Sequence, residues 1–107
     1  MRMDHRRKRP SPPYLLVFRG FCRLWLSRDE EWKKQLLTAT EVADALGMAV
    51  DTVRKAARML VKMGFMENTY VHTTSGKMLH QIYKGYTLTE AGIETSIFKE
   101  ENGDRQF

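Results

Sequence analysis

The sequence predicts a single small α+β domain, a helical core that carries a long β-hairpin and a further helix after it. Three observations predict it. Two short helical patterns follow one another between residues 38 and 63 with a glycine between them. A run rich in threonine and tyrosine then folds back on itself around Thr74, Ser75, Gly76 and Lys77. Directly after the return run, Thr89 has the position and chemistry of a helix cap. A chain of 107 residues suits one hydrophobic core, with little left for a second.

Taken in order, residues 1–13 (MRMDHRRKRPSPP) have no apolar periodicity, and Pro10, Pro12 and Pro13 deny them helix or sheet continuity. They are expected to form a disordered basic arm, with Arg6, Arg7, Lys8 and Arg9 available to DNA phosphates or the minor groove; a solvated tail is the alternative. The folded domain is expected over 14–100, with 101–107 as a flexible tail. The stretch from Tyr14 to Gln35 opens with Tyr14, Leu15, Phe18, Phe21, Cys22, Trp25 and Leu26 at helical spacing, so it reads as the first helix. Gly20 weakens that helix by about 1 kcal/mol relative to alanine, which points to close packing against another helix. The apolar coverage is wider than one stripe. Leu15, Phe18, Phe21 and Trp25, with Ile93, Ile97 and Phe98 near the other end, are therefore expected to form a dimer interface; an internal core is the alternative.

A short strand before Thr38 leads into the first helix of the central pair. Thr38 and Glu41 have the spacing of a capping box, Val42, Ala43 and Leu46 give the apolar stripe, and Gly47 can end the helix at positive φ. The second helix spans Val50 to Met63, with Val53, Ala56, Ala57, Leu60 and Val61 on one side and Asp51, Arg54, Lys55, Arg58 and Lys62 elsewhere. Its expected N-cap, Ala49, is a poor one, for which Asp51 and Thr52 in the first turn offer partial compensation. Gly64 ends it. Strands are expected from Phe65 to about Thr73 and from Met78 to Leu88, with Gly85 marking a bulge. Thr89 caps a last helix that contains Glu90, Ala91, Ile93, Ile97 and Phe98.

That element order is a winged helix-turn-helix: a three-helix core, a two- to three-stranded wing and a C-terminal helix. The stretch LTATEVADALGMAVDTVRKAARMLVKMGFMEN, followed after the hairpin by YTLTEAG, resembles bacterial and archaeal winged-helix regulators of the MarR-like and related groups. The resemblance covers about half of the chain. It implies a recognition helix over 50–63, a wing over 73–84 and a helix led by LTEAG. The poor cap at Ala49 and the long wing depart from the family pattern.

The net charge of +5 is unevenly divided. Residues 1–9 hold five Lys/Arg against one Asp, and residues 50–86 hold six against two, so each segment is +4 while the remainder is negative. Positive charge concentrated in an arm and a reading head is what phosphate neutralisation needs. On the second helix, Val50, Asp51, Thr52, Arg54, Lys55 and Arg58 are expected to face DNA, with Arg54 on a guanine edge and Lys55 and Arg58 on phosphates. A solvated basic face is the alternative. Asp51 suits the helix N-terminus better than a cytosine contact. In the hairpin, Thr74, Ser75, Lys77 and Lys84 are expected at the backbone.

His72 and His80 flank the turn and invite a metal site, but two histidines without a nearby third ligand make a poor one. No metal, cofactor or catalytic role is expected, since no GxSxG, Walker loop or HExxH is present. No apolar run approaches the roughly 20 residues of a membrane span. Arg19 and Arg23 interrupt what would be a secretory signal, and the single Cys22 excludes an intrachain disulfide, so a reducing cytoplasm is expected. The leading expectation is a homodimeric, sequence-specific regulator bound to double-stranded DNA. The alternative is a winged-helix adaptor that docks a protein partner, or a replication-initiation accessory of a plasmid, virus or mobile element.

Overall fold

The computed structural model describes residues 13–74 and 80–103, with hairpin side chains set out as far as Tyr70 and again from Lys84. It is an α+β fold in which helices pack on one another and on the root of a two-stranded antiparallel sheet. Helix α1, Tyr14–Ser27, buries Val17, Phe18, Phe21 and Cys22, and Pro13 lies at its N-cap position. It stops sooner than expected because Arg28 is extended, at φ −80° and ψ 135°. The Ser27 hydroxyl donates to the Leu24 carbonyl at 2.7 Å and so occupies an acceptor of the last turn. The remainder of the expected first helix forms a separate turn, α2, Glu31–Lys34.

Helix α3, Ala39–Leu46, starts at Thr38, whose hydroxyl accepts from the Glu41 N–H at 3.2 Å, and ends at Gly47, which adopts φ 67°. Only half of the expected capping box forms. The Glu41 carboxylate instead accepts from a terminal nitrogen of Arg28 on both of its oxygens, at 2.8 and 2.9 Å, and from the Thr38 hydroxyl, which donates to it at 2.8 Å. Gly20 of α1 faces α3 at the crossing, where a Cβ would come within 2.9 Å of Val42 Cγ1 and 3.2 Å of Leu46 Cδ1. Close approach, rather than backbone freedom, is the reason for that glycine.

Helix α4, Val50–Lys62, packs against both α1 and α3 through Val53, Ala56, Ala57 and Leu60, all buried. Ala49 is its N-cap and makes no side-chain cap bond, as its composition requires. The shared core is completed by Leu37, Met66, Leu88 and Phe98. Aromatic pairs tie it together: Phe21 meets Tyr86 edge-on at 5.6 Å between centroids, and Trp25 meets Phe98 likewise at 5.4 Å. Full burial of a side chain of this size is worth about 1.5–3 kcal/mol.

Strand β1, Met66–Thr74, pairs with β2, His80–Leu88, in an unbroken register from Met66↔Leu88 to Thr74↔His80. Gly85 therefore marks no bulge. A Cβ there would come within 2.9 Å of the Leu37 carbonyl oxygen, so the glycine admits a neighbouring backbone. That neighbour is the segment before α3, where Leu37 exchanges both backbone hydrogen bonds with Tyr86, at 2.9 and 2.7 Å. Thr87 and Thr69 donate to the carbonyls of Lys34 and Gln35 on the same segment. In the register His72 pairs with Ile82 and His80 with Thr74, so the two histidines are not direct cross-strand partners.

The expected last helix is two. Thr89 caps α5, Glu90–Ile93, by accepting from the Gly92 N–H at 3.1 Å, and Thr95 then accepts from the Phe98 N–H at 3.1 Å to start α6, Ser96–Gly103. A second threonine cap is what divides them. Helix α6 extends into the residues expected to be a tail, and Glu101 is 7% exposed. Its carboxylate receives Arg19 and Arg23 of α1, each at 2.7 Å. Hydrogen bonds from Arg23 and then Arg19 hold the Glu101 carboxyl below its ordinary pKa of 4.5. Beside them, burial pushes the Cys22 thiol up to about 12.

Phe18, Phe21 and Phe98, expected at a dimer interface, lie inside the protomer at 2%, 0% and 5% exposure. They seal this chain's own core and are not available to a second copy. Trp25, Ile93 and Ile97 are half-buried against that core, whereas Leu15 and Leu16 at the start of α1 are exposed.

Candidate nucleic-acid interface

The chemistry of interest gathers where α4, the start of α3 and the hairpin root meet. On α4 the residues Asp51, Arg54, Lys55, Arg58 and Lys62 are all exposed, and their spacing places them on one face, opposite the buried Val53, Ala56, Ala57 and Leu60. The four-residue spacing of Arg54 and Arg58, with Lys55 beside them, already put these cations on a shared face in the sequence; the structure shows that face exposed and extends it to Lys62. Four cations and one acid extend along about 16 Å of helix, at 1.5 Å per residue. Val50 and Thr52 flank the stripe and are half-buried.

Along the stripe the only ion pair among the described residues joins Asp51 to Arg54, at 3.6 Å between Oδ1 and a terminal guanidinium nitrogen. Both partners are exposed, so this pair is weak and readily exchanged for another anion. Next to it opens a cleft of about 360 Å³ between α3, α4 and the strands, with Arg54 on one wall and Lys84 on the other. Thr40, Asn68 and Tyr70 also line it.

The hairpin explains why polar groups face this cleft. Met66 and Leu88 pair at the root and are buried; one step outward on the same face Asn68 pairs with Tyr86, and one step further Tyr70 pairs with Lys84. The face thus changes from core to cleft as the strands leave the helices. Tyr70 is 59% exposed.

Of the residues expected to meet nucleic acid, the structure brings together Arg54 and Lys84, and sets Lys55 and Arg58 on the same helix face as Arg54. Thr74 ends β1, and its side chain lies outside the description. Ser75 and Lys77, like Arg6, Arg7, Lys8 and Arg9, lie outside the described residues. Sequence reasoning missed Thr40, Asn68 and Tyr70 as parts of the cleft. Period two from the buried Met66 places residues 68 and 70 on its face and was the available signal. Among the described residues no helix is long and apolar enough to cross a membrane.

Searches against family models, curated proteins and solved structures found no match to this chain.

Proposed function

We propose that the chain is a winged helix-turn-helix protein that binds double-stranded DNA sequence-specifically and acts as a cytoplasmic transcriptional regulator. Helix α4 enters the major groove, and the hairpin lies along the adjacent backbone. The observation that carries this reading is the exposed stripe of Arg54, Lys55, Arg58 and Lys62, set on a helix whose opposite face is fully buried. A rigid, one-sided display of cations is what a groove-reading helix requires. The Leu37–Tyr86 bridge supports it by supplying the short third strand of such a fold. The reading needs neither a cofactor nor a catalytic step.

The exposed Leu15 and Leu16 favour a docking surface at the start of α1. A second copy of the chain there gives a regulator with half-sites about one helical turn apart; a different protein there gives an adaptor. Molecular mass in solution separates the two.

The test is selection of bound sequences from a random duplex library, followed by anisotropy titration of the selected and a scrambled duplex at two salt concentrations. A preference of roughly a thousandfold for the selected duplex is expected. Absence of enrichment, with weak binding abolished by salt, would overturn the reading.

A further inference from the structure

Arg54 stands out by its position as a guanine reader, but its surroundings give it another role. On a helical projection of about 100° per residue, Arg58 and Lys62 lie within about 20° of the centre of the cationic stripe, whereas Arg54 lies about 60° to one side. That side is where the cleft opens, with Lys84 on its far wall. Arg54 and Lys84 therefore converge on one concave space from two different elements, and Thr40 and Asn68 add neutral hydrogen-bonding groups to its lining. Tyr70 and Tyr86 add aromatic surface to the lining, but the two cations favour an anion over an uncharged apolar ligand. A base edge does not suit the space, since a helix meets one on its outermost face rather than in a recess between helix and hairpin.

We infer that the cleft between α4 and the hairpin is a seat for one backbone phosphate, clamped by Arg54 from the helix and Lys84 from the strand, and that base reading falls to Lys55 and Arg58. This rests on the DNA-binding reading above. A phosphodiester is the anion that fits: it is permanently charged, it offers two non-bridging oxygens to two cations, and it continues on both sides as a chain that an open cleft admits. Asp51 is the resident counter-charge of Arg54. At 3.6 Å and exposed to solvent, it yields Arg54 to a phosphate without leaving a buried charge behind. The clamp fixes how deep α4 sits in the groove, because it ties helix and hairpin to the same point on one strand.

The experiment compares the wild-type chain with Arg54→Ala, Lys84→Ala, the double variant and Arg58→Ala. Each is titrated with the selected and the scrambled duplex over a range of salt. Titration is repeated with duplexes that carry a single uncharged methylphosphonate at successive positions. Arg54→Ala and Lys84→Ala should each lower affinity roughly tenfold on both duplexes, at about 1.4 kcal/mol per tenfold. Each should also reduce the salt slope by about 1. Both should become insensitive to the same neutral linkage, the one that weakens the wild-type chain, and the double variant should lose little beyond either single change. Arg58→Ala should instead narrow the ratio between the duplexes.

A change in that ratio for Arg54→Ala would overturn the assignment, since it would make Arg54 a reader of bases. Loss of sensitivity at two different linkages would also overturn it, because the two cations would then serve different phosphates. Saturation of the cleft by micromolar inorganic phosphate, in competition with duplex, would replace it by a free-anion site. If the wild-type chain binds no duplex at any salt concentration, the DNA-binding reading fails, and the clamp fails with it.

Discussion

At two glycines a single added methyl group meets different physics. Gly47 ends α3 at φ 67°, and nothing lies within 4 Å of the point a Cβ would occupy. Gly47→Ala therefore meets only the left-handed backbone penalty, about 1 kcal/mol. At Gly92 the Cβ would run into the Phe65 carbonyl, which is backbone and already accepts from the Thr89 N–H at 3.1 Å. That carbonyl cannot retreat without undoing the turn between α4 and β1. Gly92→Ala should cost roughly 2–4 kcal/mol, the range of severe overpacking, and urea titration of both variants beside the parent checks the order. Equal losses would mean that the Phe65 turn gives way cheaply. Gly47 was legible in the sequence because a glycine after an apolar stripe is a stop signal in itself. Gly92 was not, since its crowding comes from a residue in another turn.

Between elements, the contact of α1 with α6 depends on charge. Arg19 and Arg23, one helical turn apart, close on the buried Glu101 carboxylate, and Arg19 also reaches Glu100 at 3.1 Å. Because the two arginines hold the folded-state pKa of Glu101 below its ordinary 4.5, the carboxylate contributes stability above that value and loses it as the pH falls through the folded pKa. Glu101→Gln should lower the melting temperature at pH 7, and the gap to the parent should begin to narrow below the ordinary carboxyl pKa and close only once the pH has fallen through the lower folded-state pKa, where both folded and unfolded chains are protonated. Thermal melts at several pH values check this; a gap independent of pH would assign the effect to packing alone. Here the sequence misled in an instructive way. Periodicity through Ile93, Ile97 and Phe98 suggested one continuous helix and a tail after it, while the local cap at Thr95 started a new helix that carries Glu101 back to α1. Pairs so far apart in the chain leave no trace in local pattern, whereas caps and stripes, which are local, were read correctly at Thr38, Gly47, Gly64 and Thr89.

The molecule as a whole is held by one core in which α1 is central, and Cys22 reports on it. The thiol is fully buried, and burial raises its pKa to about 12, so both access and ionisation oppose reaction. Native protein should leave Cys22 unmodified by a thiol reagent at pH 8, with labelling appearing as urea unfolds the chain. Rapid labelling of the native state would show that α1 opens on its own. At this scale the division of positive charge was visible from composition along the chain, but the cleft was not, since its walls come from three elements brought together only by folding. The segment at 34–37 has a consequence of another kind. It fastens the hairpin at its root through the Leu37–Tyr86 exchange and the threonine bonds to Lys34 and Gln35. A β-hairpin anchored in this way behaves as an exchangeable tool on a fixed handle. Substitutions on the described strands beyond that root can therefore change the hairpin's surface while the 34–37 segment still holds it against the helices.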